Sequence, residues 1–317
     1  MVSSRVKAVS GVDAVEGGVN GINIICGKSK ILSPEVRKTE SPEDKKNAVR
    51  ILSLRNLITL FNKLKTNIMP DYTQLLYDIE VHSVEGISRY FEQGGNPNEI
   101  HDGMPLFTTM VEMYTRTPRF KDCVKAFIDA GLQFEDEALL AVFIDDAEKL
   151  KKLIDNDADL ISKTWSLFNN TYTPLTGGAL LHFCAEYNSI NCAKVLVQNG
   201  ADVNAQAALD EYGFGGHTPI FHTVNQNGNN SAEMLDFLLQ NSAELLITVK
   251  GLIWGRGYEW ETFIPAVNPI SYAMMGSLPQ MHRKEKTVTA VVSMLIKHAF
   301  GIDYTPKNVP NAYLIRG

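Results

Sequence analysis

The side chains best suited to metal ligation or proton transfer are seven histidines, at His82, His101, His182, His217, His222, His282 and His298, and four cysteines, at Cys26, Cys123, Cys184 and Cys192. A zinc site needs such residues at short paired spacings, as in Cys-x-x-Cys or His-Glu-x-x-His, and the chain has neither pattern. Cys184 and Cys192 fall on apolar helical faces, so the cysteines read as reduced, buried, small side chains. That points to the cytoplasm. Two glycine-rich stretches invite a phosphate-loop reading. YGFGGHTP, from Tyr212 to Pro219, lacks the lysine and hydroxyl residue of GxxxxGK[ST], and no strand is predicted to feed it. GLIWGRG, starting at Gly251, misses the GxGxxG spacing. No G-x-S-x-G elbow occurs. The densest acidic run, Glu135-Asp136-Glu137, sits at a predicted helix start, where carboxylates favour the positive end of the dipole. No catalytic residue, metal or cofactor is therefore expected. An enzyme would need a site in the Phe214, His222, Trp254 and Trp260 region.

Recognition chemistry is better supplied. Trp254, Arg256, Tyr258 and Trp260 crowd one short segment, and Tyr212 and Phe214 precede it in another. Tryptophan, tyrosine and arginine dominate interface hot spots, so these six residues are the candidate partner contacts. Strand alternation places Leu252 and Trp254 on one face, so at least one tryptophan is expected to pack inward. The net charge of −6 provides no global basic field to gather phosphates, and nucleic acid is not the expected partner. No apolar run approaches the roughly 18 residues of a membrane span. Arg5 and Lys7 are followed by no apolar block, so no secretory signal is expected.

These residues must be positioned by helices. Residues 178–206, GALLHFCAEYNSINCAKVLVQNGADVNAQ, read as a helix, a break at 188–191, a second helix and a polar turn. Gly200 ends the second helix, and Asp202 and Asn204 hold the turn through side-chain-to-backbone bonds. Gly94, Asn96 and Asn98 repeat the pattern upstream. The segment LLHFCAEYNSINCAKVLVQNGADVNA resembles an ankyrin repeat, with NGADVNA its most specific part. GHTPIF, at 216–221, resembles the Thr-Pro-Leu-His opening of another.

The resemblance implies a mainly all-α solenoid of about six helix pairs over about residues 70–300, of the bacterial ankyrin repeat domain-containing kind. A helix over 43–66, opened by Ser41-Pro42-Glu43-Asp44, is expected to cap it. Residues 1–42 read as a weakly ordered extension, so the repeat domain runs from 43 to 317 with a C-terminal tail. About 26 residues separate Gly131 from Asp157, against about 33 in a standard repeat. That unit should lack its projecting finger. Residues 246–265 favour strand and should form an enlarged finger hairpin turning at Gly255-Arg256-Gly257. In the fifth unit, helix is expected to continue through 223–226. Within the family pattern His182 occupies the slot of a histidine that bonds backbone between repeats, and Phe107 and Phe221 replace it elsewhere. The resemblance implies a non-catalytic scaffold that binds another protein along its fingers and concave face. An inhibitor or immunity factor for a toxin is the alternative.

Overall fold

The computed structural model describes residues 71–168, 171, 173–259, 261–275 and 284–307. Backbone contacts divide the chain into units 1–58 and 59–317, and every described residue lies in the second. The predicted extension over 1–42, the capping helix over 43–66, and Cys26, Trp260 and His282 lie outside the described residues.

Helices follow one another in pairs. α1 (Tyr72–Glu80) precedes α2 (Val84–Glu92), α3 (Leu106–Glu112) precedes α4 (Phe120–Asp129), and α5 (Glu137–Ile144) precedes α6 (Ala147–Asn156). α7 (Leu180–Tyr187) and α8 (Ile190–Gln198) follow, then a 3-10 turn (Pro219–His222) with α9 (Ala232–Gln240), and finally α10 (Pro269–Met275) with α11 (Glu285–Phe300). Each element packs mainly on its neighbours in sequence order, the contact pattern of a helical repeat fold.

Local chemistry explains the pairing. His82, Asp145 and Asn188 take left-handed φ values of 51°, 57° and 56° between paired helices. Asn, Asp and His tolerate that region best among residues with a Cβ. The next residue starts the second helix: Ser83 accepts the Gly86 N–H at 3.1 Å and Asp146 accepts the Lys149 N–H at 2.9 Å. Second helices end on Gly94, Gly131 and Gly200 at φ 97°, 94° and 93°. The following turn bridges to the next unit. Asn98 donates to Gly131 O at 2.9 Å and accepts from the Gln133 N–H at 2.7 Å. Asn204 repeats this with Ser242 O at 3.1 Å and the Glu244 N–H at 2.8 Å.

The core is a continuous aromatic ladder. Phe143 is fully buried, with the rings of Phe107, Phe120, Phe168, Phe183 and Tyr187 around it. Phe107, in the slot where the family carries histidine, joins this ladder instead of making a polar bond.

Strand is more abundant than an all-α reading with one hairpin allows. Among the described residues there are three two-stranded antiparallel ribbons: β1 (Ile100–His101) with β2 (Met104–Pro105), β3 (Thr164–Trp165) with β4 (Gly178–Ala179), and β5 (Val249–Trp254) with β6 (Thr262–Val267). The first two are too short for alternation to register in sequence. The third is the predicted hairpin, with Leu252 opposite Ile264 and Trp254 opposite Thr262. Residues 132–136 carry no strand, in line with a trimmed finger before α5.

One helix is shorter than its sequence suggested. After Pro219–His222 the chain leaves helical geometry instead of continuing through 223–226. The Thr223 hydroxyl donates to Ile220 O at 2.8 Å, and the Gln226 side chain turns to donate to Glu186 O at 2.8 Å. Both bonds favour the tight turn over a continued helix.

Candidate partner-binding site

The site has a buried base and an exposed platform. In the base, the Arg116 Nε and Nη2 atoms both donate to Glu186 Oε1 at 2.7 Å, and Glu186 Oε2 accepts from His222 Nδ1 at 2.8 Å. Arg116 and Glu186 are 6% and 5% exposed, so each would be costly without the other. Burial pushes the Glu186 carboxyl up, but the Arg116 charge and the His222 hydrogen bond outweigh it and hold it below its ordinary value. The guanidinium also lies 4.8 Å over the Tyr187 ring. Asn230 donates to Arg116 O at 2.7 Å, tying the segment between α3 and α4 to the start of α9. Every residue of α7 is buried.

Three imidazoles sit beside this pair. His182 Nδ1 accepts the Ala179 N–H at 3.1 Å, which leaves its Nε2–H to donate to His217 O at 3.2 Å. That is the backbone role between units that the family pattern implied. His217 in turn donates from Nε2 to Pro174 O at 2.6 Å. Burial, reinforced by neighbouring imidazoles, lowers the pKa of His182 to about 3 and pushes His217 well below the usual histidine range. Both are neutral near pH 7. The glycine-rich stretch leading to His217 gives no sign in sequence of its burial at 1% exposure. The convergence of Arg116, Glu186 and His222 gives none either.

Above this base rises the finger of residues 205–218. Its stem closes through the Ala207 N–H to His217 O at 2.9 Å and a Leu209–Gly215 bridge. Asp210 Oδ1 accepts the N–H groups of Tyr212 and Phe214, each at 2.9 Å, and shapes the tip. Against the upward push of burial, the Phe214 N–H, the Arg256 guanidinium and the Tyr212 N–H hold Asp210 below the usual carboxylate range. The Gly215 N–H donates to Gly251 O at 2.9 Å and docks the finger on β5. Gly215 has φ 106°, and a Cβ there would lie 2.3 Å from Ala208 O, so glycine is required.

The six candidate contacts divide. Tyr212 and Tyr258 are 59% and 45% exposed. Arg256 is half exposed and ion-pairs with Asp210, joining hairpin to finger. Phe214 is half-buried, 4.7 Å from the Phe263 ring, with Lys250 Nζ 5.2 Å from its centroid. Trp254 is turned inward at 3% exposure. Its indole N–H donates to the Tyr272 hydroxyl at 2.8 Å, and that hydroxyl lies 3.0 Å from Thr173 Oγ1. It is the inward-packing tryptophan that alternation required, and in this conformation it offers no surface to a partner. Leu209 and Phe263, 65% and 48% exposed, complete the platform and were not foreseen.

Between finger and hairpin lies a cleft of about 240 Å³, walled by Leu209, Phe214, Leu252 and Ile253. Among the described residues no cluster of His, Cys, Asp and Glu could hold a metal ion, and no helix is long and apolar enough to cross a membrane.

Residues 177–208, spanning β4, α7, α8 and the start of the finger, match the Ankyrin repeat family model. No curated protein matches the chain.

Proposed function

We propose that this chain is a non-catalytic protein-interaction scaffold, a degenerate ankyrin solenoid of six units that works in the cytoplasm. It holds its partner on the platform formed by the 205–218 finger and the β5–β6 hairpin. One observation carries the reading: Leu209, Tyr212, Tyr258 and Phe263 are all exposed on two loops locked together by the Arg256–Asp210 ion pair and the Gly215–Gly251 bond. Exposed apolar residues gathered in one place mark interaction surfaces, whereas scattered ones do not. The inner helix α7 contributes little contact, because its whole length is buried. Three buried free thiols support a reducing compartment.

The test is quantitative affinity purification from the source cells with wild type and a Tyr212→Ser/Tyr258→Ser variant. Recovery of a specific partner should fall by about tenfold or more, as for loss of hot-spot tyrosines, with melting unchanged. Equal recovery by a folded variant would sink the proposal.

A further inference from the structure

The cleft beside the finger is small for a cofactor or metabolite. Small-molecule sites typically enclose roughly 300–1,000 Å³, whereas this one holds about 240 Å³. That suits a single bulky side chain. The Phe214 ring and the Arg256 guanidinium provide flat faces to an aromatic group. At its base His217 adds no charge, because burial keeps the ring neutral, and its Nε2–H donates to Pro174 O.

The charges around the cleft are unequal. Arg256 is neutralised by Asp210, whereas Lys250, which donates to Tyr212 O at 2.7 Å over Phe214, keeps its charge and is outnumbered by the carboxylates of Glu211, Glu259 and Glu261. Glu211 at the finger tip and Glu259 on the hairpin turn are exposed and make no ion pair among the described residues. A segment entering the cleft therefore meets uncompensated negative charge on both flanking loops. An acidic segment would be repelled and a basic one drawn in.

We infer that the cleft between Leu209, Phe214, Ile253 and Arg256 receives one aromatic side chain of a partner polypeptide, with arginine or lysine residues on either side of it directed to Glu211 and Glu259. This rests on the interaction reading above and names the chemistry of its partner. The aromatic anchor supplies most of the affinity by desolvation. The flanking cations supply selectivity and a salt dependence.

The probes are three fluorescein-labelled peptides in a Gly/Ser frame, centred on Arg-Trp-Arg, Glu-Trp-Glu and Arg-Ala-Arg. They are titrated into the full chain by fluorescence anisotropy, with methyl NMR to locate the site. The Arg-Trp-Arg peptide should bind saturably and shift the Ile253 and Leu252 methyl signals. The other two should bind at least about tenfold more weakly. Leu209→Ser should weaken the first peptide by about tenfold, and Leu209 is exposed enough that the fold should not suffer. Glu211→Lys/Glu259→Lys should erase the preference of Arg-Trp-Arg over Glu-Trp-Glu. Absence of saturable binding, shifts confined to other residues, or an undiminished preference in the charge-reversed variant would each overturn the inference. If the tyrosine variant loses its cellular partner while the peptides show no such preference, the interaction reading stands and this assignment falls.

Discussion

The pair α5–α6 and the pair α7–α8 are neighbours built on one plan, and they are held in different ways. Both turn at a left-handed residue, Asp145 or Asn188. The connection into α5–α6, residues 130–136, is short, and α6 presents a solvated face with the exposed Lys151–Asp155 ion pair. The connections before α7 and after α8 are both long, and a more distant segment also reaches α7. The segment 113–119 sends Arg116 to Glu186, and Pro174 meets His217. The first pair is stabilised by stacking and by one tie at its turn, where Asp145 pairs with Lys121 of α4 and accepts the Cys192 N–H of α8. The second is stabilised by stacking plus a buried polar brace on Glu186, supplied by Arg116 from between α3 and α4 and by His222 from the turn before α9. Long loops in this chain have therefore gone to two purposes, bracing the inner side of α7 and building the outer platform.

The comparison breaks most sharply at Glu186. Glu186→Ala strands a buried guanidinium and should cost about 3–5 kcal/mol in urea unfolding. Asp155→Ala in α6 removes a solvated pair and should stay within about 0.5 kcal/mol of wild type. Similar losses for the two would mean that the brace carries no weight. Acid should separate the regions next. His182 has a folded pKa of about 3 against an ordinary value of 6.5. Its contribution is complete above pH 6.5 and is lost as pH falls toward 3, because the unfolded chain binds the extra proton. Stability should drop by up to about 1.4 kcal/mol per pH unit for each such histidine below 6.5. His217 is shifted the same way, while Glu186, shifted down, adds its loss only below the usual carboxylate value of 4.5. Urea midpoints taken at about pH 5 and about pH 7.5 check this, and α5–α6, which holds no histidine, provides the internal contrast. A flat profile contradicts neutral burial of these rings. The smallest expected loss apart from the Asp155 control lies in the bridging turns. Asn204→Ala loses the bonds to Ser242 and Glu244 and should cost about 1–2 kcal/mol, measurable as a shift in melting temperature.

What could be read from sequence follows the range of the interaction. The helix pairs, the Gly94 and Gly200 stops and the β5–β6 hairpin rest on periodicity and turn chemistry within a few residues, and they were legible. Alternation likewise foresaw an inward tryptophan, and Trp254 fills that place. The brace was not legible, because its members lie 70 and 114 residues apart, from Arg116 to Glu186 and from Arg116 to Asn230. Nothing local distinguishes Arg116 from the other cations of a polar insertion. His217 could have been suspected from its place before Thr218-Pro219, where the chain re-enters a packed unit. Phe263 was legible as strand, but its exposure depends on the finger lying beside β5, a contact that no single-segment pattern encodes.

The Arg116–Asn230 bond has a mechanical consequence. A chain of repeats joined only to adjacent ones should come apart one unit at a time when its ends are pulled, giving a staircase of equal steps in a force–extension trace. Here a clasp closes a loop of 114 residues around the units between α3 and α9. Those units lie in parallel with the clasp and are shielded from load until it opens. The trace should then show one long rip where separate short ones would otherwise appear, with single steps confined to the units outside the clasp.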